Sequence, residues 1–148
     1  MRKKITILLL MLFCSITAFG DEREENWVIT YSFDDGVELS PLYFQMNIQN
    51  EQISGLVSNG FEYEGSISGG LSNSTYSFVI HRTEMGSDKS QDIRFKGIRD
   101  GDYILGKWVH AVGIGGAWKG MLTKLSPKEA IRPFLKPCAS QEKKSCDA

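Results

Sequence analysis

Two histidines are the residues of this chain best suited to acid–base or metal chemistry. His81 and His110 each lie near the end of a predicted strand. A histidine pair with a carboxylate could bind zinc or transfer protons. Neither histidine belongs to a His-x-His motif, however, and isolated strand histidines are more often surface or packed residues. We therefore predict no metal site and no catalytic residue, and an enzyme using His81 or His110 is the third of three alternatives for the function.

Paired carboxylates give a second possibility for chemistry. Glu62 and Glu64 alternate with Phe61 and Tyr63, which places both carboxylates on one face of a predicted strand. Acid–base catalysis by such a pair would need one carboxyl in an apolar site, where its pKa is raised. A solvated pair on an outer face explains the same pattern. The acidic segment 34–38 lacks the alternating oxygen ligands of a calcium loop, and we predict a turn there.

Aromatic side chains give a better indication of function than the polar ones. The chain contains eight phenylalanines, five tyrosines and three tryptophans. An eight-stranded barrel is just wide enough to be filled by its own side chains or to enclose one small ligand. Glycines within strands would remove side-chain volume from that interior. Simple filling stays open as an alternative, and we predict a ligand-binding lumen lined by Trp27, Tyr31, Phe44, Tyr63, Phe78, Trp108 and Trp118.

The elements that would position these residues are short strands. Alternation of apolar and polar residues predicts eight strands, at 26–33, 41–49, 52–59, 61–68, 75–84, 91–98, 103–112 and 116–124. The dipeptides Asn59-Gly60 and Asp100-Gly101 suit type I′ hairpin turns. No stretch before Leu125 has room for a crossover helix, so the pairing must be antiparallel. The predicted fold is all-β, an eight-stranded antiparallel up-and-down (meander) barrel.

The N-terminal segment is predicted to be a targeting sequence rather than part of the fold. Positive residues at 2–4 precede an apolar run at 5–13 that is too short to span a membrane. Small residues at Ala18 and Gly20 predict a signal peptide at 1–20, and lipidation at Cys14 is the alternative. We expect a periplasmic or secreted protein without a stable membrane anchor.

The barrel domain is predicted at 21–125, beginning with an acidic leader at 21–25, and a short helical segment with a tail at 126–148. The sequence from Ser126 to Glu129 forms a capping box with proline at the first helical position. We expect Phe134 and Leu135 to dock this element against one barrel end.

Two cysteines remain in the predicted mature chain, Cys138 and Cys146. In an oxidising compartment an even pair is interpreted as a disulfide. A metal or redox pair is the alternative, although the spacing is not Cys-x-x-Cys. The bridge would close a short loop within the tail, so we expect it to stiffen the tail alone.

Charge restricts the partners that we expect. Without the three basic residues at 2–4, the net charge of −1 becomes −4. A mildly acidic chain without a basic stripe is a poor candidate for binding nucleic acid. We predict no nucleic-acid partner and no cofactor.

The last two predicted strands carry Gly106-x-Trp108 and Trp118-x-Gly120. This pair resembles the closing hairpin of avidin-like proteins and, more generally, the calycin-type small secreted β-barrels. The resemblance implies a barrel in which Trp108 and Trp118 help to line a ligand pocket. The first predicted strand, around Trp27, lacks the polar residues with which avidins receive the biotin ureido group, so biotin is not implied.

Our first prediction of function is therefore a non-enzymatic barrel that binds a small apolar or amphipathic ligand in its lumen. The alternative is a protein-binding module, an inhibitor or immunity protein for a secreted or periplasmic enzyme. Its net negative charge would then steer it towards a basic partner.

Overall fold

The computed structural model describes residues 22–83 and 90–135 and forms a closed barrel in which each strand pairs with the next and the last strand pairs with the first. Every pairing is antiparallel, which confirms the predicted meander barrel. The predicted signal peptide, Cys14 and the cysteine pair lie outside the described residues. The strands are β1 (Glu22–Tyr31), β2 (Leu42–Gln49), β3 (Gln52–Ser58), β4 (Tyr63–Ser72), β5 (Thr75–Thr83), β6 (Ser90–Asp100), β7 (Tyr103–His110) and β8 (Gly115–Leu122).

The alternation of residue types explains why these segments form one closed sheet. In β6, Ile93 and Phe95 are buried in the interior, whereas Arg94 and Lys96 are exposed on the outer wall. Each strand therefore has one face that must leave water. Closing the sheet on itself buries that face and leaves no unpaired strand edge.

The first strand begins earlier than the sequence predicts. Residues 22–25 of the expected acidic leader belong to β1, and Glu22 pairs with Gln49. The alternation of β1 continues towards its start, so Glu25 faces the interior as Trp27 does and is only 6% exposed. We call the barrel end at which β1 begins the Glu25 end, and the opposite end, where β1 finishes, the Tyr31 end.

The prediction of type I′ turns at Asn59-Gly60 and Asp100-Gly101 is wrong. Type I′ needs positive φ at both central residues, but within 22–83 and 90–135 the non-glycine residues with positive φ are Asn50, Glu51 and Asn73. Asn50 and Glu51 form the two-residue turn between β2 and β3. The Asn59 side chain instead accepts the backbone N–H groups that follow it at 61 and 62, and this holds a wider loop.

A short helix, α1 (Pro127–Ile131), follows the barrel and continues into one 3₁₀ turn (Arg132–Phe134). The capping box predicted at its start is confirmed. The Glu129 carboxylate accepts the backbone N–H of Ser126 at 3.2 Å and the Ser126 hydroxyl at 2.6 Å.

The docking of this segment differs from the prediction. Ala130 and Ile131 are buried against the outer wall of β1 and β2, whereas Phe134 and Leu135 are 38% and 44% exposed. The helix is too short to bury more than one pair of apolar residues, and the pair at its own C-terminal end makes the contact. The segment therefore lies along the wall and does not close a barrel end.

Candidate functional site

The interior of the barrel is filled by side chains in direct contact. Phe78 and Phe95 stack with their ring centroids 5.4 Å apart, and Phe44 meets both edge-on at 5.7 and 5.5 Å. Trp118 meets the same two rings at 5.9 and 5.4 Å. These are ordinary contact distances for aromatic pairs. Five of the seven predicted lumen residues are core residues at most 5% exposed: Trp27, Phe44, Phe78, Trp108 and Trp118.

The strand glycines make room for a ring and not for a ligand. Gly97 and Gly106 face each other across β6 and β7, and the Trp118 indole lies over both. A Cβ at Gly97 would come within 2.7 Å of this indole, and one at Gly106 within 2.6 Å. The indole Nε1 donates to the backbone carbonyls of Lys96 and Lys107, both at 3.1 Å. The volume that the glycines release is therefore occupied.

Tyr31 and Tyr63, the other two predicted lumen residues, have different positions. Tyr31 is partly buried at the Tyr31 end, with its ring edge-on to Trp108 at 5.6 Å. Burial raises the pKa of the Tyr31 phenol above its ordinary value. Tyr63 lies on the outer wall, 51% exposed, so its placement in the lumen is wrong. The register of β3 and β4 shifts between Val57 and Ser58, and this irregularity interrupts the alternation from which the prediction was made.

The same irregularity turns Glu64 inward, so its prediction as a solvated outer residue is wrong as well. Its side chain is 12% exposed and forms an ion pair with Arg82. Asn59 Nδ2 donates to the second carboxylate oxygen at 3.2 Å. Glu62 is exposed, so the two carboxylates do not share a site.

The Glu25 end is closed by a buried hydrogen-bonded network that we call the Glu25 network. The Glu25 carboxylate accepts the Tyr76 hydroxyl at 2.7 Å, Arg23 Nε at 2.9 Å and Trp27 Nε1 at 3.2 Å, and it forms an ion pair with Arg99. The Arg99 guanidinium lies 5.1 Å from the Trp27 ring centroid, a cation–π distance.

Electrostatics keeps this carboxylate ionised. Burial acts to raise the pKa of Glu25, but the hydrogen bonds from Tyr76 and Arg23 and the charge of Arg99 outweigh it and hold the pKa below the ordinary value of 4.5. Burial and the neighbouring carboxylate raise the pKa of the Tyr76 phenol. A carboxylate so firmly ionised cannot serve as a general acid, and we interpret this network as structural.

A large cleft lies outside the barrel wall. It has a volume of about 410 Å³ and separates the loop between β1 and β2 from the outer face of β8. Phe134 of the 3₁₀ turn borders it, and Trp118 contributes to its lining. We call it the β8 cleft. Its apolar side chains are Leu39, Pro41, Leu105, Ala117 and Phe134, and its charged side chains are Glu38 and Lys119.

A chain of three polar side chains crosses the outer wall from β4 to β6. His81 Nε2 lies 3.2 Å from Ser68 Oγ, and His81 Nδ1 lies 2.7 Å from Asp92 Oδ1. His81 is directly opposite Asp92 in the pairing of β5 with β6. His110, by contrast, accepts the N–H of Val112 after the end of β7. We call the first group the Ser68 chain.

Ser68 also borders a second cleft on the outer wall, about 370 Å³ in volume, which we call the Ser68 cleft. Three basic residues line it: Arg94, Lys96 and Lys107. Lys96 and Lys107 stand directly opposite each other on β6 and β7. The acidic chain therefore has a locally basic wall, which net charge alone could not indicate.

Within 22–83 and 90–135, histidine, cysteine, aspartate and glutamate side chains form no group of three that could hold a metal ion. In the same ranges, no helix has the length and hydropathy needed to cross a membrane. No family model, curated protein or solved structure matches this chain. The resemblance to avidin-like and calycin-type barrels therefore stays a prediction, although the barrel itself is confirmed.

Proposed function

We propose that this protein binds a small amphipathic molecule in the β8 cleft. The class of ligand is the one predicted from the sequence, but its place differs, because the aromatic residues expected to line the lumen pack against one another. A volume of about 410 Å³ with a mostly apolar lining supports this proposal. Small-molecule sites fall in this range of volume and combine apolar walls with a few polar groups.

The charged residues of the cleft suggest the polar part of the ligand. Lys119 Nζ lies 4.4 Å from the centroid of the Tyr103 ring, so its ammonium group is held at the wall beside the cleft. It can meet a carboxylate there, while Leu105 and Phe134 contact an apolar body. The ligand class that fits is a small molecule with an apolar chain or ring and one anionic group.

The test is a titration with a medium-chain fatty acid, followed by isothermal titration calorimetry. Leu105→Ser removes an apolar wall, and we expect the Kd to rise about tenfold, the equivalent of about 1.4 kcal/mol. Val109→Ser is the matched control, since Val109 is exposed on the same strand and lines the Ser68 cleft instead. We expect its Kd to change less than about twofold.

A further comparison tests the anionic group. Lys119→Met should weaken binding of the fatty acid but leave binding of the alcohol of equal chain length unchanged. If Leu105→Ser binds as the wild type does, or if Val109→Ser alone weakens binding, the ligand occupies the lumen or the Ser68 cleft and the proposal is wrong.

Protein binding is the second candidate, and the exposure of Phe61 favours it. This side chain is 77% exposed at the loop between β3 and β4, beside the exposed Tyr63. Exposed aromatic side chains are frequent anchors of protein interfaces. If the fatty acid gives no heat of binding while a stoichiometric protein is captured from periplasm and Phe61→Ser abolishes its capture, this candidate replaces the first.

A further inference from the structure

We propose that Ser68 is a nucleophile that accepts the acyl group of small anionic esters, with His81 as its general base and Asp92 as a positioning residue. The proposal goes beyond ligand binding and concerns a different part of the wall. It starts from two distances, 3.2 Å from Ser68 Oγ to His81 Nε2 and 2.7 Å from His81 Nδ1 to Asp92 Oδ1. It also contradicts the expectation, made from the sequence, that the protein is not an enzyme.

The hydrogen bonds of the Ser68 chain have the direction that a nucleophilic serine requires. The Asp92 carboxylate can only accept, so His81 Nδ1 carries the hydrogen of that contact. In the neutral imidazole, Nε2 is then unprotonated and accepts the Ser68 hydroxyl hydrogen. A base that is hydrogen-bonded to the hydroxyl and oriented by a third group is the arrangement that activates serine.

The backbone of the sheet holds the three residues in place. His81 pairs with Ser66 on one side and with Asp92 on the other, and Ser68 is its diagonal neighbour on β4. Positions on paired strands are fixed more tightly than positions on loops. Ser68 is exposed, and His81 and Asp92 have side chains that are 41% and 54% exposed, so a substrate can reach them.

The residues around Ser68 indicate an anionic substrate. Arg94 lies in the same cross-strand row as Ser68, two strands away through Val79, a backbone separation of about 10 Å. Lys96 and Lys107 line the same cleft. This basic wall, which begins at Arg94 on the side of the cleft opposite Ser68, would attract a carboxylate on the acyl group and disfavour a cationic ester.

The surroundings also limit the reaction to activated esters. Ser68 lies between two paired strands, so its backbone N–H is used in the sheet and cannot bind a developing oxyanion. The developing charge is therefore left to water on the exposed wall. Esters with a good leaving group need the least stabilisation of this kind, and they form the class that we expect to react.

The reaction balances without a cofactor. Ser68 Oγ forms a bond to the ester carbonyl carbon while its proton moves to His81 Nε2, and the bond to the alcohol oxygen then breaks as that oxygen takes the proton. Water next attacks the acyl-serine and gives one proton to His81, which returns it to Ser68 Oγ. The net change is ester plus water to carboxylic acid plus alcohol.

The test uses the full chain and a fluorophosphonate probe, with which serine Oγ forms a P–O bond as fluoride leaves. Peptide mass spectrometry should locate the adduct on Ser68. We expect Ser68→Ala to abolish labelling and His81→Gln to slow it at least about a hundredfold, the usual contribution of a general base. Ser66→Ala is the matched control, an exposed serine on the same face and strand, and should be labelled at the wild-type rate.

The positioning role of Asp92 is tested by the labelling rates of two variants. Asp92→Asn should slow labelling without lowering the melting temperature, and Asp92→Glu should restore part of the rate because it returns the charge. If the probe labels several serines equally, or if His81→Gln and Ser66→Ala label at the same rate, Ser68 is an ordinary surface serine and the proposal is wrong.

The substrate class is tested with two nitrophenyl esters that differ in charge. The terephthalate half-ester, whose carboxylate cannot reach its own ester carbonyl, should react faster than the neutral benzoate, and Arg94→Met should remove that preference while leaving the benzoate rate nearly unchanged. Equal rates for both esters in the wild type, with labelling confined to Ser68, would overturn the anionic class. A loss of both rates in Ser68→Ala ties the hydrolysis to this residue.

Discussion

The Glu25 network and the Ser68 chain are both built from polar side chains on neighbouring strands, but they differ in exposure to water. Glu25 is 6% exposed inside one end of the barrel, whereas His81 and Asp92 lie on the wall with 41% and 54% of their side chains exposed. The buried carboxylate accepts four partners. The exposed imidazole has one partner on each ring nitrogen.

This difference separates a structural role from a chemical one. Removing a buried charge leaves its former partners without compensation in a medium of low dielectric constant. Water can replace a lost partner on the outer wall, so an exposed group of side chains such as the Ser68 chain contributes little to stability. The same exposure lets a substrate reach Ser68, whereas in the Glu25 network every acceptor is already occupied by the protein itself.

The largest expected effect comes from the buried side of this comparison. Glu25→Gln removes the charge that Arg99 and Arg23 contact, and it places amide hydrogens beside donors. We expect the free energy of unfolding to fall by about 3 kcal/mol. Urea unfolding followed by tryptophan fluorescence measures it.

Glu24→Gln is the matched control, because Glu24 precedes Glu25 in the same strand but is exposed on the outer wall. We expect its free energy of unfolding to change by less than about 0.5 kcal/mol. Equal effects of the two substitutions would show that burial of the Glu25 carboxylate is not the cause of the loss.

At low pH the free energies of unfolding of the wild type and Glu25→Gln should become similar. The pKa of Glu25 is lowered in the folded state, so its contribution to stability is present above the ordinary value of 4.5 and is lost as the pH falls through the folded pKa. A protonated carboxyl has nearly the shape and charge of an amide. Urea unfolding from pH 7 to pH 2 should therefore show a narrowing difference, and a constant one would contradict the assignment.

The smallest expected effect on stability is in the exposed Ser68 chain. In a double-mutant cycle with His81→Gln and Asp92→Asn, we expect the coupling energy to stay below about 1 kcal/mol, because water can replace either partner on the exposed wall. A coupling energy as large as the loss of unfolding free energy in Glu25→Gln would show that the Ser68 chain stabilises the sheet, which contradicts this comparison.

The sequence was sufficient for the barrel because the alternation in β1, β2 and β6 is nearly complete. It was not sufficient to predict the buried position of Glu25, the residue that closes the Glu25 end. The sequence analysis assigns Glu25 to an acidic leader, although it stands two residues before Trp27 and therefore on the same strand face. Extending the alternation backwards from Trp27 would have placed this carboxylate in the interior.

The Ser68 chain could not be found in this way, because it depends on the register of three strands. Ser68 and Asp92 lie 13 and 11 residues from His81, and a slip of one residue in either hairpin would turn them to opposite faces. The sequence contains no Asn-Gly or Asp-Gly dipeptide between β4 and β5 or between β5 and β6, so nothing in it fixes either register. The displacement of Tyr63 and Glu64 has a different origin, the register shift between Val57 and Ser58.

The pairing of β1 with β8 also determines when this protein can fold. Trp27 pairs with Leu122, so the first strand acquires its second neighbour only when almost the whole described chain has been synthesised. Joining ends so far apart is entropically costly and slows folding. Until then the apolar side of β1 is left partly uncovered, and an incomplete nascent chain would depend on chaperones to keep that side from aggregating.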